Sequence, residues 1–191
     1  MNTLEWVAAG LGVINVGLLV RRSIWNYPFG LAMVSLYFFI FYETRLYSDA
    51  WLQVFFFAVQ LYGWWSWARA KQDAGEVRVG LLSGRERALC VALTVGVSLA
   101  LGYVMATYTP ASAPYIDASI AGMSISAQIL LAWRKLENWV LWIVTDIVAI
   151  GLYLSKALYP TAILYGLLLV LCLVGFADWR RKLIAQGAPA Q

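Results

Sequence analysis

The chain has 191 residues, 62% of them of the apolar and aromatic classes and only 13% charged, with a mean hydropathy of +0.72. So little charge excludes a soluble surface, so lipid must be part of the solvent. The absence of His removes the usual general base, proton shuttle and metal ligand, and Cys90 and Cys172 lie inside apolar runs, so neither a disulfide framework nor a metal cluster is indicated. No cofactor and no enzyme activity are expected.

Apolar stretches of membrane-crossing length fall at 5–20, 27–43, 50–67, 88–107, 117–133, 139–155 and 159–178. No basic residue precedes the first stretch and Arg21 and Arg22 follow it, the reverse of a cleavable signal peptide, so a retained helix is expected. Pro28 and Gly30 are placed to distort the second helix. Residues 70–87 form the longest polar connection, residues 108–116 an uncharged turn, and 183–191 a tail expected to be disordered. Nine of the ten tryptophans lie near predicted helix ends, as an interfacial belt requires; Trp142 is the exception.

The 14 basic residues fix an orientation. With the N-terminus outside, Arg21, Arg22, Arg69, Lys71, Arg78, Arg85, Arg87, Arg134, Lys135, Arg180, Arg181 and Lys182 are cytoplasmic, and only Arg45 and Lys156 are external. This asymmetry predicts an N-out, C-in protein of the bacterial inner membrane. It also accounts for the pI of about 9.1 through anionic lipid rather than nucleic acid.

Shifting the sequence by 112 residues superposes its halves without a gap: Asn26 on Asn138, Leu46-Tyr47 on Leu158-Tyr159, Gly63 on Gly175, Trp67 on Trp179, and Arg22 and Arg69 on Arg134 and Arg181. Matches of Asn, Gly, Tyr, Trp and Arg are harder to obtain by chance than matches of Leu. The expected fold is an all-α membrane protein of seven transmembrane helices in a 3+1+3 arrangement. Repeats at 1–69 and 117–182 are separated by 70–116, which holds the linker helix 88–107. The extra helix restores the direction of the second copy, giving parallel repeats, a transporter architecture with substrate bound between them. A non-transporting membrane assembly protein that arose by duplication is the alternative.

Polar and aromatic groups line up within the bilayer. Asn138, Trp142 and Asp146 are four apart, and Tyr153 follows seven residues later on the same face. Asp146 is the one charged residue near the middle of any predicted span, a functional position by default. Gln53 and Gln60 share a face of the third helix, flanked by Trp51 and Trp64; Asp117, Ser124 and Gln128 share one of the fifth; Asn15 stands alone on the first. The equivalents of Gln53 and Gln60 in the second half are Tyr165 and Cys172. The candidate binding set is therefore Gln53, Gln60, Gln128, Asn138, Trp142 and Asp146, with Trp51 and Tyr165.

Structural alternatives exist for each: Asn26 and Asn138 as helix caps, the glutamines as interhelical hydrogen bonds, Asp146 as half of a buried pair, Trp142 as core. Amides, aromatics and one carboxylate suit a flat, polar, cationic solute. A single isolated carboxylate favours facilitated diffusion over a proton relay.

The stretches "NYPFGL", "LYSDAWLQVFFFAVQLYGWWSWAR" and "ENWVLWIVTDIVAIGLYLSKALYPTAILY" resemble the PnuC family of vitamin transporters, over about residues 5–182. The most specific pieces are Leu46-Tyr47, Leu52-Gln53, Tyr62-Gly63-Trp64 and Glu137-Asn138-Trp139 with Trp142. The resemblance implies a fold similar to SWEET sugar carriers, a homotrimer, and uptake of nicotinamide riboside by facilitated diffusion, made one-way by cytoplasmic phosphorylation. Thiamine or riboflavin are the alternative vitamins. Family substrate contacts carry over onto Gln53, Asn138 and Trp142. Asp146 stands where some nicotinamide riboside carriers have Asn, and the seventh helix, "TAILYGLLLVLCLVGF", lacks an asparagine those carriers can show.

Overall fold

The computed structural model describes residues 3–43, 47–110, 112–155, 157 and 159–187. Seven helices make up the described chain: α1 (Thr3–Val20), α2 (Asn26–Glu43), α3 (Tyr47–Ala74), α4 (Gly84–Tyr108), α5 (Pro114–Ala132), α6 (Glu137–Ser155) and α7 (Tyr159–Ala185). A helix satisfies its own backbone hydrogen bonds, which is what a segment crossing lipid must do. By length and composition α4, α5, α6 and Thr161–Ala185 of α7 are each able to cross a membrane, and α1 has a shorter apolar stretch, Trp6–Val20. Tyr, Trp and amide groups lower the hydropathy of α2 and α3.

Local chemistry sets the ends. Ser83 caps α4 by accepting from the Glu86 backbone while the Glu86 carboxylate accepts from the Ser83 amide, 2.7 Å away. Pro114 opens α5, where a missing N–H costs nothing.

Six helices close a ring: α1 packs on α2, α2 on α3, α3 on α5, α5 on α6, α6 on α7, and α7 on α1. Among the described residues α4 packs on α5 alone. A bond between the Thr94 and Ser126 hydroxyls (2.6 Å) pins that contact, and Gly122 gives the room: a Cβ there would strike Ser98. The outer surface of α4, including Leu89, Val91, Leu93 and Leu99, is exposed apolar surface, suited to lipid.

Contacts recur at the 112-residue offset. Arg22 (φ 53°) and Arg134 (φ 59°) both turn the chain through the left-handed region. The Asn26 and Asn138 amides donate to Ser23 O and Lys135 O, each at 2.6 Å. Arg22 binds Asp178, and Arg134 binds the Ser66 hydroxyl at 2.7 Å. The Trp67 indole donates to Leu131 O (3.2 Å) across the α3–α5 seam, and Trp179 donates to Leu19 O (3.3 Å) across the α7–α1 seam. Tyr27 lies against Gly63 and Trp139 against Gly175, positions where a Cβ would clash with the ring. Four aromatics thus meet at the basic end: Tyr27 edge-on to Trp67, Trp67 beside Trp179 (5.8 Å), and Trp179 edge-on to Trp139.

The connection between α3 and α4 departs from the expected polar loop. Helix α3 continues to Ala74, and residues 75–83 form a packed strap with Val77, Val79 and Leu82 buried. Gly80 exchanges backbone bonds with Arg134 O (3.0 Å) and the Leu136 amide (2.9 Å), Lys135 donates to Leu81 O, and Glu137 accepts from both the Leu82 amide and Arg87. The expected disordered tail also needs correction. Helix α7 runs to Ala185 because Leu183 is buried against the strap region and Gln186 accepts from the Val79 amide. Residues 188–191, Arg45 and Lys156 lie outside the described residues.

Candidate functional site

The polar interior is built on α6, whose buried stripe includes Asn138, Trp139, Thr145, Asp146, Ala149 and Leu152. Asn138 is fully buried and its amide nitrogen caps its own turn, so the capping alternative accounts for half of the side chain. The other half is unused: Asn138 Oδ1 is buried without a hydrogen-bond partner among the described residues, as are Trp139 Nε1, Asp146 Oδ2 and Tyr27 OH. A buried polar atom left alone costs about 1–3 kcal/mol, more when charged. Three such atoms lie on α6: Asn138 Oδ1, Trp139 Nε1 and Asp146 Oδ2. Thr145 is not among them, because its hydroxyl bonds Leu141 O one turn back.

The wall opposite α6 comes from two neighbours. On α7, Cys172 meets the Asp146 carboxyl group, and Tyr165 packs on Tyr153 of α6 with ring centroids 5.2 Å apart. Tyr37 of α2 stands within electrostatic reach of Tyr165 and brings a third element in. Across the ring, Gln60 is buried and its amide lies over Gly30 together with that of Asn15, which donates to Asn26 O at 2.6 Å. Any side chain at Gly30 would displace both amides, so this glycine serves a close approach within the unbroken helix α2.

Asp146, Tyr165 and Tyr153 are therefore gathered, and Trp142 is half-buried on the same helix. Gln53 is half-buried on α3, and Gln128 is buried on α5. Trp51 is not brought to this interior: it is 71% exposed and faces outward near the start of α3. Sequence reasoning did not single out Tyr37 or Tyr27 and treated Cys172 only as the counterpart of Gln60. Tyrosine and cysteine in an apolar run carry no signal of which face they occupy. Two surface grooves lie outside this interior, one against α1 and α7 and one against α3 and α5.

The geometry is that of a buried polar stripe within a ring of helices. The family profile described as "Nicotinamide mononucleotide transporter" matches residues 2–181. The chain belongs to the PnuC family of vitamin transporters. It is 28% identical to the nicotinamide riboside transporter PnuC of Escherichia coli (strain K12), covering 100% of this chain and 90% of that protein. It is 31% identical to the riboflavin/roseoflavin transporter RibM of Streptomyces davaonensis, covering 94% and 88%. A crystal structure of the vitamin B3 transporter PnuC superposes with a TM-score of 0.78 at 28% identity, covering 95% of this chain and 82% of that one. The protein is thus a multi-pass membrane transporter and not an enzyme.

Proposed function

We propose that this PnuC-family protein takes up nicotinamide riboside by facilitated diffusion, with phosphorylation in the cytoplasm making entry one-way. The observation that carries the reading is the unpartnered Asp146 carboxylate oxygen on the same α6 stripe as Asn138 Oδ1, beside the half-buried Trp142. A carboxylate offsets the charge of a pyridinium, an indole stacks on its ring, and amides bond a ribose. The proposed site is Gln53, Gln60, Gln128, Asn138, Trp142, Asp146 and Tyr165. Trp51, from its outward position, is assigned to the interface belt.

In this reading the ring is a 3+1+3 assembly of parallel repeats like that of SWEET carriers. Residues 1–69 and 117–182 form the repeats, and 70–116 the connection that carries α4. The N-terminus lies outside and the C-terminus in the cytoplasm of a bacterial inner-membrane homotrimer. The recurring contacts at Trp67 and Trp179 support the repeat, and the clustering of basic residues at one end supports the orientation.

Riboflavin is the second reading, favoured by the 31% identity to RibM; thiamine, also cationic, is the third. Counterflow in proteoliposomes loaded with each unlabelled vitamin separates them: labelled nicotinamide riboside should exchange and the others should not. No exchange of any vitamin would return the assembly-protein reading. A second arm sets zero potential with an inward proton gradient. Accumulation well above the external concentration, lost in Asp146→Asn, would defeat facilitated diffusion.

A further inference from the structure

The two seams each carry a groove on the outer surface, and the grooves differ in charge. That at α1–α7 has a volume of about 510 Å³ and is bounded by Val20, Arg21, Arg22, Val174, Asp178 and Arg181. That at α3–α5, about 460 Å³, includes Tyr62, Ala132 and Trp133. At the 112-residue offset Ala132 matches Val20, Trp133 matches Arg21 and Tyr62 matches Val174, so the grooves occupy equivalent places. One has a guanidinium where the other has an indole.

Within the first groove Arg22 is committed to Asp178. Arg21 and Arg181 enter no ion pair among the described residues, and both are exposed. The groove lies where the apolar run of α1 ends at Val20 and the basic run of α7 begins at Arg180, the depth at which lipid headgroups sit. Guanidinium forks match phosphate oxygens, and Val20 and Val174 continue the apolar surface along which an acyl chain would lie.

We infer that the α1–α7 groove binds an anionic phospholipid, its phosphate held by Arg21 and Arg181 and one acyl chain on the valine wall. Its counterpart at α3–α5 takes only the apolar part of a lipid. Such a lipid would sit on the seam closed by the Trp179–Leu19 bond. The inference requires only that the chain be embedded in lipid and is independent of which vitamin is carried.

The test titrates phosphatidylglycerol and phosphatidylcholine of matched chains against the full-length purified protein, with bound lipid counted by native mass spectrometry. Phosphatidylglycerol should bind more tightly, and Arg21→Gln with Arg181→Gln should weaken it about 25-fold, about fivefold for each arginine. Phosphatidylcholine binding should not change, and Arg21→Lys with Arg181→Lys, which keep the charge but lose the forks, should keep only part of the preference. Equal binding of the two lipids by the wild type, a measurement needing no variant, would overturn the proposal. So would phosphatidylglycerol binding unchanged in the glutamine variant. Full displacement by millimolar inorganic phosphate would assign the arginines to a soluble phosphate instead of a lipid.

Discussion

Residues 3–74 and 114–187 build the same frame and line it differently. At the seams and turns the counterparts make the same bonds: an arginine at positive φ, an amide closing its own turn, an indole reaching a carbonyl of the other half. Toward the interior they part. At the 112-residue offset Val34 corresponds to Asp146, Gly30 to Trp142, Gln60 to Cys172 and Gln53 to Tyr165. Seam contacts tolerate little change, because each half meets the other through them and the indoles that make them are fully buried. The interior positions carry no such matched bonds, and they differ: aromatic and acidic groups in one half, amides in the other. In the proposed site this asymmetry would let a flat solute bind in one orientation.

The carboxylate tests that contrast most severely. Asp146→Asn, which retains shape and removes charge, should weaken a cationic vitamin by about 2–5 kcal/mol, the range for breaking a buried charge pair. The fold should stay intact, since the first half manages with Val34 at the equivalent buried position. Calorimetric titration of the purified variant measures it. An unchanged dissociation constant would remove Asp146 from the site and leave the acidic wall a packing feature.

Next in size are Trp142→Ala and Gln53→Ala, one residue from each wall. Losing a stacking surface or a buried hydrogen bond should cost about 1–3 kcal/mol each, roughly five- to 150-fold in dissociation constant. Both variants should insert; Trp142→Ala, which also loses packing against the buried cluster, should melt lower than the parent, so the dissociation constant is the readout. If only Trp142→Ala weakens binding, the amide wall is interhelical glue and the solute rests on the second half alone.

Much of this division is legible from the residues. The 112-residue offset follows from matched Asn, Gly, Trp and Arg, because these types are placed by specific contacts that lipid exposure does not supply. Asp146 stands out because burying a charge is costly. The strap does not stand out: Val77, Val79 and Leu82 are scattered among polar residues, and the α5–α6 turn and the end of α7 that they meet explain their burial. Leu183 follows a basic run that reads as the end of the chain's order, yet it packs against that same strap region. Trp51 shows the converse limit: it flanks the Gln53–Gln60 face in sequence, yet two residues of helix turn it away from Gln53, and it faces outward. The unpartnered atoms of Tyr27 and Trp139 are a property of packing alone.

A smaller effect tests the seams. Trp67→Phe and Trp179→Phe each delete one indole donor and retain most of the ring. Each should lower stability by about 0.5–1.5 kcal/mol, and the two losses should be alike because the bonds, 3.2 and 3.3 Å, are alike. Unfolding in detergent followed by fluorescence measures them. Markedly unequal losses would show that the halves are joined by different means despite their matching geometry.

The smallest effect concerns the strap, which lies between the halves and bonds to the second. Glu76 accepts from Lys182 at 2.9 Å, while the counterpart of Lys182 in the first half is Ala70. The ammonium bond holds the Glu76 carboxyl below its ordinary value of 4.5. A depressed carboxyl contributes stability that is fully present above the unfolded value and fades as pH falls through the folded one. Both partners are well exposed, so the contribution is small and screened by salt. Glu76→Gln should therefore lower the melting temperature slightly at neutral pH and low salt. The difference from the parent should persist down to the ordinary glutamate range, then close on further acidification as the parent's carboxylate protonates. Molar salt at neutral pH should close it as well. A deficit that survives both acid and salt would mean that Glu76 holds the strap by packing and not by charge. The second half's extra contact would then be an apolar one, made by Val77, Val79 and Leu82.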